Sequence, residues 1–96
     1  MKEILAKAAE ILSTGGHIKY SPGNTQTAGG PHCAVGALAA AQYVFGMRGL
    51  TAAIDACDAA TREQFGYRSL IDWNNAPATT GEDVILLFKE LAHDET

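Results

Sequence analysis

Apolar positions along the chain fall mostly into helical stripes. Ile4, Leu5, Ala8, Ile11 and Leu12 follow the i, i+3, i+4, i+7 spacing of an amphipathic helix over Lys2–Thr14. Glu3 and Lys7 are placed to pair on its surface, and Gly15-Gly16 to end it. From His32 to Phe45 the pattern is apolar on nearly every face, so this segment reads as a central helix surrounded by protein, with Pro31 in its first turn. Gly36, Ala37, Ala40 and Ala41 set small residues four apart, where a neighbouring helix can come close.

Leu50, Ile54, Cys57, Thr61 and Phe65 mark the inner face of a third helix, with Thr51 as its N-cap and an Asp58–Arg62 pair outside. Ser69-Leu70-Ile71-Asp72 opens one or two turns that carry Trp73. Thr79 and Glu82 form a capping box before Val84, Leu87, Phe88 and Leu91, the stripe of a last helix. Between the first two helices, Ser21-Pro22-Gly23-Asn24 has the signature of a type II turn, and Thr25-Gln26-Thr27 leans toward β. The sum is an all-α fold, a small bundle of four helices plus a short helix. A Gly-rich loop or small β-hairpin follows the first helix, and residues 1–96 make one helical domain.

Composition sharpens this picture. Alanine supplies 17 of the 96 residues and aromatics only seven, so the core is small-residue packing around a few large anchors. Trp73, the one tryptophan, is expected to be buried and to clamp the last helix onto the Cys33–Phe45 helix. So short a chain has limited means of covering an all-apolar helix, and a homodimer is expected on that ground.

The net charge of −4 and the scattered cations argue against nucleic acid as a partner. Residues 20–47 lack Asp, Glu, Lys and Arg, but the apolar part, residues 33–47, is too short and too rich in Ala and Gly to span a membrane. Met1-Lys2-Glu3 opens straight into the amphipathic pattern rather than a signal peptide, which points to the cytoplasm. There Cys33 and Cys57, 24 residues apart, are expected to be free thiols.

Two stretches carry a family resemblance. Cys33-Ala34-Val35-Gly36-Ala37-Leu38 resembles a Cys-x-x-Gly-Ala-Leu helix start. Trp73-Asn74-Asn75-Ala76-Pro77-Ala78-Thr79-Thr80 resembles a Trp-Asn-Asp-x-Pro-x-Arg-Thr segment running into a last helix. Both are similar to a family of short proteins of unknown function from actinobacteria and their bacteriophages. Asn75 stands where that family tends to have Asp, and Thr79 where it tends to have Arg. The resemblance implies an accessory protein of phage or actinobacterial origin, acting in the host cytoplasm if phage-encoded.

Candidate chemistry is sparse. Cys33 near a helix start, with His17 or His32 as base and Asn74 or Asn75 as orienting group, would make a small cysteine-dependent hydrolase or transferase. The plainer reading of Cys33 is a small apolar side chain packed beside Gly36. His17, His32, Cys33 and His93 match no zinc spacing, and neither a metal nor a cofactor is expected. Gly29-Gly30-Pro31 before a helix lacks the cations of a phosphate loop. Trp73 and Asn74 could form a ligand-contacting edge, or an anchor and a turn. The favoured expectation is a non-catalytic protein that binds a host protein. Its binding residues are Lys19, Tyr20 and Gln26 of the loop, with Trp73 and Asn74.

Overall fold

The computed structural model describes residues 1–94. Its α-helices are α1 (Lys2–Gly15), α2 (Ala34–Phe45), α3 (Leu50–Ala60), α4 (Leu70–Asn75) and α5 (Gly81–Asp94). A π-helical turn, Thr61–Phe65, continues α3 without a break. The mostly helical expectation holds, and no strand forms among the described residues.

The helix at the centre is α1, not α2. Ile4, Leu5, Ala8, Ala9, Ile11 and Leu12 are all buried, and α1 packs chiefly between α5 and α2. Phe88, Leu87 and Val84 of α5 close the core from one side, and Leu38 with the α2 alanines from the other. The reason lies at the end of α2. Tyr43, Val44 and Phe45 are exposed, so a helix that reads as apolar throughout emerges from the protein in its last turn. Lys7 of α1 lies over the Phe45 ring at 4.6 Å, a cation–π contact that covers part of this end.

Several caps and pairs differ from the sequence reading. Helix α2 starts two residues after His32, because the His32 backbone is spent on a parallel bridge with His17. In that bridge Ile18 N–H donates to His32 O at 3.1 Å, and His32 N–H to Gly16 O at 3.2 Å. Cys33 becomes the N-cap, its Sγ accepting from Gly36 N–H at 3.3 Å. The N-cap of α3 is Gly49, in a left-handed conformation, and Thr51 lies inside the helix. The box before α5 is Thr80–Asp83, one residue later than Thr79–Glu82: Asp83 N–H donates to Thr80 Oγ1 and Thr80 N–H to Asp83 Oδ2. Ser69 caps α4 as expected.

Lys7 pairs with Glu10 rather than Glu3. Asp58 and Arg62 do not pair; Asp58 accepts from Leu70 N–H at 2.8 Å, tying α3 to α4, while Arg62 donates to Arg68 O. The small-residue stripe also has a different use. A Cβ on Gly36 would lie 2.0 Å from Pro22 O, so at Gly36 the close neighbour is the loop, while Ala37, Ala40 and Ala41 are buried in the core that α2 shares with α1.

The hairpin does not form. Asn24 Oδ1 takes Gln26 N–H and Thr27 Oγ1 takes Gly29 N–H, side-chain bonds that compete with strand pairing. Residues 16–33 instead run as an irregular segment laid across the ends of α1, α2 and α4.

Candidate functional site

The loop is fixed by two asparagines of α4. Asn74 is buried, and its amide makes four hydrogen bonds. Its Oδ1 accepts from His17 Nε2 at 2.7 Å and from Ala34 N–H at 2.9 Å. Because an amide oxygen only accepts, the proton of this His17 bond sits on Nε2. Ala34 is the first residue of α2, so Asn74 satisfies one of the amides that a helix start leaves without an internal partner. Asn74 Nδ2 donates to Ile18 O at 3.4 Å and to Asn75 Oδ1 at 3.0 Å.

Asn75 carries the network outward. Its Oδ1 also accepts from Tyr20 N–H at 2.9 Å, and its backbone carbonyl accepts from the Tyr20 hydroxyl at 3.2 Å. Lys19 Nζ donates to the Ala76 carbonyl. Two close approaches complete the seating. A Cβ on Gly81 would lie 2.8 Å from the His17 Cβ, so the start of α5 abuts the loop as Gly36 does.

Tyr20 is the product of this arrangement. It is the one described non-glycine residue with positive φ, at 66°, and it is 79% exposed. A left-handed backbone at a bulky residue costs about 1–2 kcal/mol and persists where its surroundings hold it. Here the Asn75 bonds hold it at both ends of the residue.

Beside Tyr20 lies a cleft of about 300 Å³. Tyr20, Pro22, Val35 and Ile71 give it apolar walls, and Cys33 and Asn75 add polar groups. Cys33 is half-buried here. Neither imidazole bonds to its sulfur: His17 Nε2 is on Asn74, and His32 Nε2 donates to Asn24 O at 2.9 Å. His32 lies fully buried under the loop with Nδ1 unpartnered, pinning residue 24 rather than facing the cleft. Cys57 is equally buried, and burial, reinforced by the neighbouring Asp58 charge, pushes its thiol up to about 12.

The structure therefore brings together His17, Lys19, Tyr20, Asn74 and Asn75, with Cys33 on the adjoining cleft. It leaves Gln26 apart, exposed on the loop with its own amide on Asn24. Trp73 is buried, as expected, and its ring stacks on Phe65 at 5.0 Å on the other side of α4. Among the described residues no three His, Cys, Asp or Glu side chains converge as a metal site would require. No described helix is long and apolar enough to cross a membrane.

A family model described as a family of unknown function (DUF6197) matches residues 1–94. The chain belongs to that family. No curated protein and no solved structure matches it. Within this DUF6197 chain the Trp-Asn-Asn segment joins two surfaces, a use that periodicity alone does not show. One signal was readable: Gly36 in the middle of an apolar helix implies a close backbone neighbour.

Proposed function

We propose that this DUF6197 protein acts by binding another protein, through the surface formed by Tyr20 and the cleft beside it. The observation that carries this reading is Tyr20 itself: an exposed aromatic in a strained backbone, locked at its amide and its hydroxyl. An anchor already held in place loses little conformational freedom when a partner covers it, and Tyr is among the residues that dominate interface energies. The apolar cleft offers a place for a partner side chain, and Ser21 and Asn75 supply polar groups around it, with Lys19 held nearby on the Ala76 carbonyl. The resemblance to short actinobacterial and phage proteins makes a host protein in the cytoplasm the partner we favour. The exposed end of α2 at Tyr43, Val44 and Phe45 is the surface we assign to self-association.

The alternative, a cysteine-dependent hydrolase or transferase, has less support. Cys33 lies on the cleft, but the Nε2 atoms of His17 and His32 are committed to Asn74 and Asn24, and neither histidine lines the cleft or bonds the Cys33 sulfur. Partner capture by three variants separates the readings. Tyr20→Gly is expected to reduce capture at least about tenfold, as loss of an interface anchor does, with little change in melting temperature. Gln26→Ala is expected to weaken it less, and Cys33→Ser to spare it. Capture that survives Tyr20→Gly, together with a biological effect abolished by Cys33→Ser, would overturn the proposal in favour of the enzyme.

A further inference from the structure

Across α4 from the loop, a second and larger cleft of about 480 Å³ opens between the π turn and α5. Asp83, Leu86, Leu87 and Glu90 line it at i, i+3, i+4 and i+7, one face of α5. Phe65, Tyr67 and Trp73 line it as well, with Phe65 stacked on Trp73. The two rings are stacked with planes 2° apart, and Phe65 is still 45% exposed. One Phe65 face is spent on Trp73, and part of the ring stays open to solvent.

The polar groups of this cleft are unbalanced. Its lining holds two carboxylates and no Lys, Arg or His. One Asp83 oxygen takes the Thr80 amide, and among the described residues neither Asp83 nor Glu90 is in an ion pair; Lys7–Glu10 and Arg68–Asp72 lie elsewhere. Thr79, only 5% exposed, lines the same cleft, and no group of the described residues hydrogen-bonds its hydroxyl. Asp83 and Glu90 are seven residues apart on one helix, so about 10 Å separates their backbone positions. Leu86 lies between them on the helix, and Phe65 lines the same cleft.

This pattern selects a ligand class. An anion is repelled at both ends. A neutral apolar ligand would take two carboxylates out of water with nothing to pair them. A cation gains from both carboxylates and from the negative face of Phe65. The apolar strip between the charges favours methylenes there. We propose that the cleft binds an unbranched aliphatic polyamine, its terminal ammonium groups at Asp83 and Glu90 and its chain along Phe65 and Leu86. This site is independent of the Tyr20 surface and of what binds there.

Trp73 is the only tryptophan in the chain, so its fluorescence reads this cleft directly in the intact protein. The experiment titrates the protein with diaminooctane and spermidine, whose terminal nitrogens can span the two carboxylates, and with octylamine and diaminopropane, which cannot. The long diamine and spermidine are expected to bind about tenfold tighter than the other two, and to weaken as salt is added. Glu90→Gln, an exposed change, is expected to erase that preference while leaving the melting temperature unchanged. Leu86→Ala is expected to weaken all the amines alike, and Tyr20→Gly to change none of them. Equal affinity for diaminooctane and octylamine, or a preference that survives Glu90→Gln, would overturn the proposal.

Discussion

Adjacent residues of α4 serve surfaces of opposite character. On one side Asn74 spends every polar position of its amide on the loop and on α2. On the other, Trp73 stacks on Phe65, next to carboxylates that no side-chain cation among the described residues pairs with. The first surface is rigid because its buried polar groups are satisfied, and each bond fixes another segment of chain. The second is held by packing, which leaves its charges available. A short helix with few residues can thus build a platform on one face and a receptive cleft on the other.

The largest effect expected from breaking this contrast is at Trp73. Trp73→Ala removes the ring under Phe65 and should cost about 3–5 kcal/mol, comparable to the whole stability of so small a protein. Urea unfolding checks it; a midpoint close to that of the parent would show that the stack carries little. Next is Asn74→Ala, which strands the buried Ala34 amide and frees His17. At about 1–3 kcal/mol for each buried group left unpaired, a loss of roughly 2–4 kcal/mol is expected, again read from urea unfolding. Asn74→Asp keeps the acceptor for His17 and Ala34 but loses both donors, and should fall between the parent and the alanine variant.

Cys57 gives a pH dependence of smaller size. Its thiol rises from an ordinary 9.0 to about 12 in the folded protein, so the unfolded chain releases this proton first. The stabilising contribution is fully present below pH 9 and is lost as pH rises toward 12, at about 1.4 kcal/mol per unit. Unfolding measured from pH 8 to 10.5 should show a steeper fall in the parent than in Cys57→Ala; parallel curves would contradict this. The smallest effect is at Tyr20. In Tyr20→Gly, relief of the left-handed backbone offsets the lost hydroxyl bond, and the change in stability should stay within about 1 kcal/mol.

The helices were legible in the sequence because their signals are local. Stripes of period 3.6 and the Ser69 cap depend on residues within a turn or two of each other. What was not legible depends on contacts distant along the chain. Thr79 and Thr80 offer equivalent caps, and the choice of Thr80 goes with burial of Thr79 against the rest of the protein. The exposed end of α2 could not be read from its own composition, because exposure depends on where the neighbouring helices stop. The hub at Asn74 joins residues 40 to 57 positions apart, and nothing in the spacing of His17, Ala34 and Asn74 announces it. The π turn likewise shifts Phe65 off the inner face on which its spacing placed it, onto Trp73.

The central claim is that residues 16–33 are held as firmly as the helices, so that Tyr20 is presented rather than loosely displayed. Native-state hydrogen exchange tests it most directly, at the amides of Ile18, Tyr20 and Ala34, which donate to His32 O, Asn75 Oδ1 and Asn74 Oδ1. Ile18 and Ala34 are expected to exchange only through the same global opening as the buried amides of α1, with Tyr20 close behind. Asn74→Ala is expected to move all three to fast local exchange while the α1 amides slow or hasten only with overall stability. Fast exchange at Ile18 and Ala34 in the unaltered protein would contradict the claim.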